Sequence, residues 1–266
     1  MSVKRWDSTI TSAVILLVAL CIVLPSVYML IHSFAGESES AGLIPGAFGL
    51  GGYWEVFMRS PDYLLKFWVS LALSGGIVIG QLVFSVLAGY GFSRLTFPGA
   101  NILFYIIIIM MLMPYQVTLV SSYIMLDRMG LVGSYIGLWL PAMFSPFGVF
   151  LLKQAFDRFP QEVCDAAKLD GANHLTIAAR IMVPSNQPAL AALIVLGFAD
   201  AWNMAEQPIV LLKHAYQYPL SVFLVSMGGS RIEVLAAAGV LASAPLLLLF
   251  LFYSGNLTRG VAHGRL

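Results

Sequence analysis

Two clusters in this chain hold residue types whose spacing suits chemistry. Asp200, Trp202, Asn203, Glu206 and Gln207 bring two carboxylates, two amides and an indole into eight consecutive residues. Polar residues in or beside an apolar span are costly in lipid, so this is a candidate solute site. Trp is also a routine anchor where a helix meets a membrane boundary. Tyr115 and Gln116, following Pro114, form a second, smaller candidate of the same kind. The other cluster is Lys153, Asp157, Arg158, Glu162, Asp165, Lys168, Asp170 and Arg180. Mixed charges at that density suit the docking of a partner protein, or simply a solvated loop. Catalytic constellations are missing from the sequence. His32, His174, His214 and His263 lack metal-ligand spacing among themselves. Cys21 and Cys164 are far apart and read as two unpaired thiols. No Gly-Lys pair occurs, so there is no phosphate-binding loop and no ATP chemistry in this chain.

The elements that position these residues follow from composition. Apolar residues make up 59% of the 266 and charged residues 10%. A soluble domain carries roughly 25% charged residues. That much apolar surface excludes a soluble enzyme or a disordered chain. A net charge of +1 leaves no footprint for nucleic acid. The chain reads as an all-α polytopic membrane protein. Crossing a bilayer takes about 20 apolar residues, and six charge-free windows meet that need: Ala13–Phe34, Phe67–Ser93, Leu95–Leu126, Met129–Leu152, Ile181–Ala199 and Val234–Thr258. Trimmed of polar ends, they predict spans at about 13–34, 68–92, 102–125, 134–152, 182–202 and 235–255, within one transmembrane domain covering 1–266. The first apolar run is too long for a cleaved signal peptide. His214–Ser230 is uncharged but interrupted at Tyr216–Pro219, and reads as an interfacial or re-entrant piece. With the N-terminus inside, Lys and Arg divide nine inside to five outside, which puts both termini in the cytoplasm. Gly76-x-x-x-Gly80 and Gly133-x-x-x-Gly137 have the spacing that lets helices approach closely.

On this topology Lys153–Arg180 is one cytoplasmic loop. Pro160 opens a helix-compatible run, Gln161–Asp170, with Glu162 near the positive end of its dipole. Gly171 suits a left-handed stop. A second helical run from about Thr176 leads into the fifth span. Val163, Ala166 and Ala167 share a face by spacing. The loop therefore predicts a compact helical hairpin, apolar on one side and charged on the other.

The hairpin carries a resemblance. Asp165-Ala166-Ala167-x-x-x-Gly171, nine residues, then Ile181-x-Val183-Pro184 resembles the EAA loop of ABC-transporter permease subunits. Asp165 stands where the pattern has Glu, and Val183 where it has Leu. Asp170-Gly171-Ala172 matches the carbohydrate-type branch. So do Gly89-Tyr90-Gly91-Phe92-Ser93-Arg94-Leu95-x-Phe97-Pro98-Gly99, Met113-Pro114, Gly130-Leu131 and Trp202-Asn203 followed by Pro208 and Leu211. The similarity spans most of the chain and points to the second permeases of maltose-like and glycerol-phosphate-like importers.

That resemblance implies a type I importer permease fold in a bacterial cytoplasmic (inner) membrane. It implies four kinds of partner: a second homologous permease forming a heterodimer, two ATP-binding subunits, an extracytoplasmic solute-binding protein and the bilayer. No cofactor is expected on this chain, ATP and Mg belonging to the partner subunits. The coupling loop is 153–181, with Glu162, Asp165, Ala166, Ala167, Leu169, Asp170, Gly171, Ala172 and Asn173 as the ATPase-coupling residues and Leu169–Asn173 at the tip. The outer segments Gly36–Lys66 and Lys213–Glu233 would face the solute-binding protein. The function implied is uptake of a carbohydrate by alternating access. A related solute such as a glycerophosphodiester is the alternative. A secondary transporter would need ionisable residues in mid-span, and the windows contain none. An intramembrane enzyme would need a Ser–His, Asp–Asp or His–Glu set within spans, and none is present.

Overall fold

The structure, a computed structural model, describes residues 3–36, 42, 44–229 and 231–263. Residues 37–41 and 43 of the expected outer loop, Ser230, and Arg265 of the inside set lie outside the described residues. The described residues are nearly all helical. Among the described residues the only β pairing is an isolated bridge between Ala35 and Phe48.

In chain order the helices are α1 (Val3–Ser33), α2 (Gly51–Trp54), α3 (Pro61–Arg94), α4 (Ala100–Leu112), α5 (Tyr115–Arg128), α6 (Tyr135–Ala142) and α7 (Pro146–Asp157). Then come α8 (Gln161–Leu169), α9 (His174–Ile177), α10 (Val183–Ser185), α11 (Gln187–Trp202), α12 (Glu206–Leu211), α13 (Leu220–Ser226) and α14 (Ile232–His263). Four stretches are long and apolar enough to cross a bilayer: Thr11–Ser33, Pro61–Arg94, Tyr135–Asp157 and Ile232–Thr258. Two bent pairs raise the number to six if each is one span.

The bends are where the structure departs from uniform spans. The expected third span, 102–125, is two helices at 106°. The cause is local: Met113 precedes Pro114, and a residue before proline is pushed out of the helical region, here to φ −74°, ψ 129°. The expected fifth span, 182–202, straddles Asn186, where His174–Ser185 meets α11 at 85°. Pro184 and Pro188 flank that elbow, and each removes a backbone donor. His214–Ser230 contains a 3₁₀ turn, the seven-residue α13 and a second 3₁₀ turn, all too short to span.

The chain divides into two compact units, Met1–Leu65 with Phe223–Ala244, and Lys66–Val222 with Pro245–Leu266. In the first, the buried Tyr63 donates its hydroxyl to the Ala238 carbonyl at 2.8 Å. Gly52 lies so close to α14 that an added Cβ would stand 2.5 Å from the Glu233 carbonyl oxygen. Arg231 pairs with Glu55 and, at 3.4 Å, with the buried Glu233. Along α1 every side chain from Thr11 to Val27 is exposed.

In the second unit, Leu73, Leu126, Leu138, Leu211 and Leu212 form one apolar cluster, with Trp139 packed against it. Gly76 admits the Trp139 ring, which would stand 2.9 Å from a Cβ there, and Trp139 Nε1 donates to the Leu73 carbonyl. So this glycine pair serves helix packing, as its spacing suggests. The other pair does not. Gly133 sits in a turn at φ +89°, and Gly137 lies under its own neighbour's carbonyl, that of Leu131. These two glycines shape a tight connection rather than a helix crossing.

Candidate functional site

The hairpin begins at Pro160, the N-cap of α8, which has no N–H to leave unpaired there. Glu162 in the first turn and Lys168 in the last both complement the helix dipole. Gly171 ends the helix at φ +85°. Its N–H donates to the Lys168 carbonyl at 3.0 Å, and the Ala172 N–H to the Ala167 carbonyl at 3.0 Å. That pair of bonds is a Schellman stop, which a residue with a Cβ would strain. Asn173 then caps α9, its Oδ1 accepting the Thr176 N–H at 2.8 Å.

The underside of the hairpin is an apolar cluster of Tyr90, Leu152, Phe156, Cys164, Ile177, Ala178, Met182 and Leu193. The face that α8 buries differs from the one its spacing suggested. Cys164 is the buried anchor, with Sγ 3.7 Å from Met182 Sδ, and Ala167 packs one turn on. Val163 and Ala166 point to solvent. The reason is tertiary: the floor under α8 comes from α3, α7 and the 174–185 arm, and it fixes the helix rotation. At the tip, Leu169 is 90% exposed and Leu175 66%, while Asp170, Gly171 and Asn173 are exposed and Ala172 is half-buried. Two leucines held in water beside exposed Val163 and Ala166 form an apolar patch of the kind that marks a protein interface.

Three contacts lock the hairpin to α3 and α7. Arg94 uses its guanidinium as a fork. Nη2 donates to the Phe156 carbonyl at 2.7 Å and the Phe159 carbonyl at 2.5 Å, and Nη1 donates to Gln161 Oε1. The Tyr90 hydroxyl and His174 Nδ1 share a hydrogen bond at 2.9 Å. Gly89 lets α3 approach α7, where an added Cβ would be 3.1 Å from Leu152 Cβ. Lys153 belongs to α7, pairs with Asp157 at 2.6 Å, and lies over the Phe104 ring. Asp165 accepts from Lys168 at 3.1 Å and Gln161 at 3.0 Å. The Lys168 bond first, and then the Gln161 bond, hold its carboxyl below the usual carboxylate range. Sequence reasoning gave Cys164 and His174 no role and named Tyr90 and Arg94 only as members of the Gly89–Gly99 motif. The recognisable Gly89–Gly99 motif was the one available signal.

At the far end of α11 a cavity of about 250 Å³ lies within the second unit. Gln81, Tyr115, Phe144, Ser145, Asp200 and Gln207 supply its polar and aromatic lining. Gln81 Nε2 donates to the Ala142 carbonyl at 2.9 Å, and its Oε1 has no hydrogen-bond partner. Three of the seven solute-site candidates, Tyr115, Asp200 and Gln207, therefore converge here. The other four are placed elsewhere. Trp202 is buried, stacked on Phe198 and edge-on to Phe67. Asn203 Nδ2 donates to the Ala199 carbonyl at 2.8 Å and closes α11. Gln116 Nε2 donates to the exposed Glu206 carboxylate, at 3.1 Å to Oε2.

Comparison with known proteins agrees with this architecture. The chain is 28% identical over 271 residues to the arabinooligosaccharides transport system permease protein AraQ of Halalkalibacterium halodurans, covering 98% of this chain and 96% of that protein. It is 30% identical to the polygalacturonan/rhamnogalacturonan transport system permease protein YtcP of Bacillus subtilis, covering 94% of each. It is 29% identical to the osmoprotective compounds uptake permease protein GgtD of Synechocystis, covering 97% of this chain and 92% of that one. In fold it superimposes on a chain from the crystal structure of a bacterial ABC transporter that imports the acidic polysaccharide alginate. The TM-score is 0.85 at 19% identity, over 96% of this chain and 98% of that chain. Residues 81–263 match the family model described as binding-protein-dependent transport system inner membrane component. That match takes in the hairpin, all but one of the residues lining the cavity and more than half of the sequence, and the chain belongs to this family of multi-pass transport permeases.

Proposed function

We propose that this chain is the non-catalytic permease subunit of an ATP-driven importer that takes up a carbohydrate by alternating access. The observation that carries the coupling part is the hairpin. It is rigidly floored, stopped by a Schellman turn, and presents Leu169 and Leu175 to solvent. An apolar tip costs free energy in water unless a partner covers it. The partners are two ATP-binding subunits that hold ATP and Mg. Closure of that pair moves the hairpin, and the fold switches between two states. A second homologous permease completes a heterodimer, and an extracytoplasmic solute-binding protein delivers the solute. Nine of fourteen Lys and Arg fall on the hairpin side, so both termini are cytoplasmic in the bacterial inner membrane. The carbohydrate class is favoured by the names of relatives such as the arabinooligosaccharide and polygalacturonan permeases.

The test is Gly171→Glu beside Gly171→Ala, in the complex reconstituted with its own partner subunits. Both variants strain a residue held at φ +85°, by about 1–2 kcal/mol. Only Glu adds a charged side chain at the tip. The expected result is near-normal assembly for both, with uptake per ATP hydrolysed falling at least tenfold for Gly171→Glu and less than threefold for Gly171→Ala. Normal uptake and normal solute-stimulated ATP hydrolysis in Gly171→Glu would refute the assignment.

A further inference from the structure

We infer that the cavity between Gln81, Tyr115, Phe144, Ser145, Asp200 and Gln207 is a subsite for one uncharged, hydroxyl-rich ring of the transported solute. The inference rests on the importer reading and deepens it.

Two interruptions of helical backbone meet at this cavity. Tyr115 follows the Met113–Pro114 break between α4 and α5. Phe144 and Ser145 lie in the break between α6 and α7. Non-helical backbone at membrane depth survives only where it is buried in protein or lines a polar cavity. In transporters generally, such broken helices are where solutes are held. Five polar side chains, those of Gln81, Tyr115, Ser145, Asp200 and Gln207, converge here within an otherwise apolar lining. They come from five separate helices or breaks: α3, α5, the α6–α7 break, α11 and α12. Convergence from that many elements is costly to arrange and has no packing rationale, since apolar residues would fill the space better.

The chemistry is weighted toward acceptors. The Asp200 carboxylate offers acceptor sites to the cavity, while Gln81 Oε1, which has no hydrogen-bond partner, lies against Gly197. The Tyr115 and Ser145 hydroxyls and the Gln207 amide add groups that both donate and accept. A solute hydroxyl donates its one proton to the Asp200 carboxylate and can accept from an amide or hydroxyl donor. Phe144 and Tyr115 add ring faces on which the C–H side of a sugar packs. Among the described residues lining the cavity, Asp200 carries the only formal charge. A solute carboxylate or phosphate entering here meets like charge with no cation to offset it. The volume, about 250 Å³, lies just below the ~300 Å³ at which pockets for drug-sized ligands begin. That suits one sugar ring rather than two. The subsite therefore selects a neutral ring.

The test uses the whole reconstituted complex in proteoliposomes, supplied with neutral oligosaccharides and their uronate counterparts of equal length. Transport KM and maximal rate are read together with ATP hydrolysis. The wild type is expected to favour the neutral series at least tenfold. Asp200→Asn is expected to raise KM for the neutral solute about tenfold and to narrow the preference over uronate to about threefold. Gln81→Leu, on a different helix, is expected to raise KM without narrowing the preference. Gln207→Ala reads the same subsite if Asp200→Asn does not assemble, and it should raise KM for the neutral solute. Wild-type preference for uronate, or KM within twofold of wild type in all variants that assemble, overturns the subsite. Failure of the wild-type complex to take up any carbohydrate instead overturns the importer reading on which it rests.

Discussion

Replacing Arg94 by alanine removes a fork that holds three acceptors from three points of the chain: the Phe156 and Phe159 carbonyls and Gln161 Oε1. Both carbonyl bonds are partly buried, and they take up C=O groups where α7 ends. A hydrogen bond from a charged group is worth about 1.5–3 kcal/mol net. The Gln161 bond is exposed and adds little. Taking the lower figure for each carbonyl, the clamp contributes about 3 kcal/mol, or roughly two powers of ten in the local opening equilibrium. Lysine has a single ammonium and cannot span the same acceptors, so Arg94→Lys should recover less than half of that. The assay is amide hydrogen exchange of the peptide 156–170 in lipid nanodiscs, with 187–200 as an internal reference. Protection across 156–170 should fall about a hundredfold in Arg94→Ala and about thirtyfold in Arg94→Lys, with 187–200 unchanged. A loss below threefold in Arg94→Ala would refute the reasoning. It would mean that the apolar floor alone holds the hairpin.

Three further outcomes follow from the same geometry. Asp165 has a depressed folded-state pKa, so its contribution is present above the unfolded value and is lost as pH falls through the folded one. The difference in α8 protection between wild type and Asp165→Asn should therefore exist at neutral pH and close below the usual carboxylate range. A difference that persists in acid would contradict this. Gly76→Val places new atoms against the Trp139 ring, and overpacking of this kind costs about 1–3 kcal/mol. Detergent-solubilised protein should melt several degrees lower, while Gly75→Val, with open space beside it, should not. A Leu169→Cys variant in a Cys21→Ser background should react with an impermeant maleimide only from the cytoplasmic face. Labelling from outside would reverse the orientation.

How much of this was readable in advance depended on whether the signal was local. The Gly171 stop and the Pro160 start are set by residues within three or four positions, and they stand where the sequence puts them, whereas the second helix, capped by Asn173, begins at His174, two residues before the expected Thr176. The face of α8 was not readable. Whether Cys164 or Val163 points inward depends on Met182, eighteen residues on, and on Tyr90 and Phe156. The elbows at Pro114 and Asn186 were half legible. The prolines mark a break, but a charge-free window carries no information about an angle. The outer cluster divides for a similar reason. Composition groups Trp202 with Asp200, but two positions along a helix point in different directions. One side chain reaches the cavity and the other packs on Phe198.

The bareness of α1 bears on how the protein is made. From Thr11 to Val27 no described side chain is buried against the rest of the chain, and the helix satisfies its own backbone hydrogen bonds internally. Val14, Ile15, Leu16, Leu17, Leu20, Ile22 and Leu24 are all exposed, and transfer of such side chains out of water is worth about 1.5–3 kcal/mol each. This segment needs no later helix to be stable in lipid. It leaves the ribosome before α3–α14 and can integrate on its own. The polar-lined helices that follow emerge after a membrane anchor is already in place.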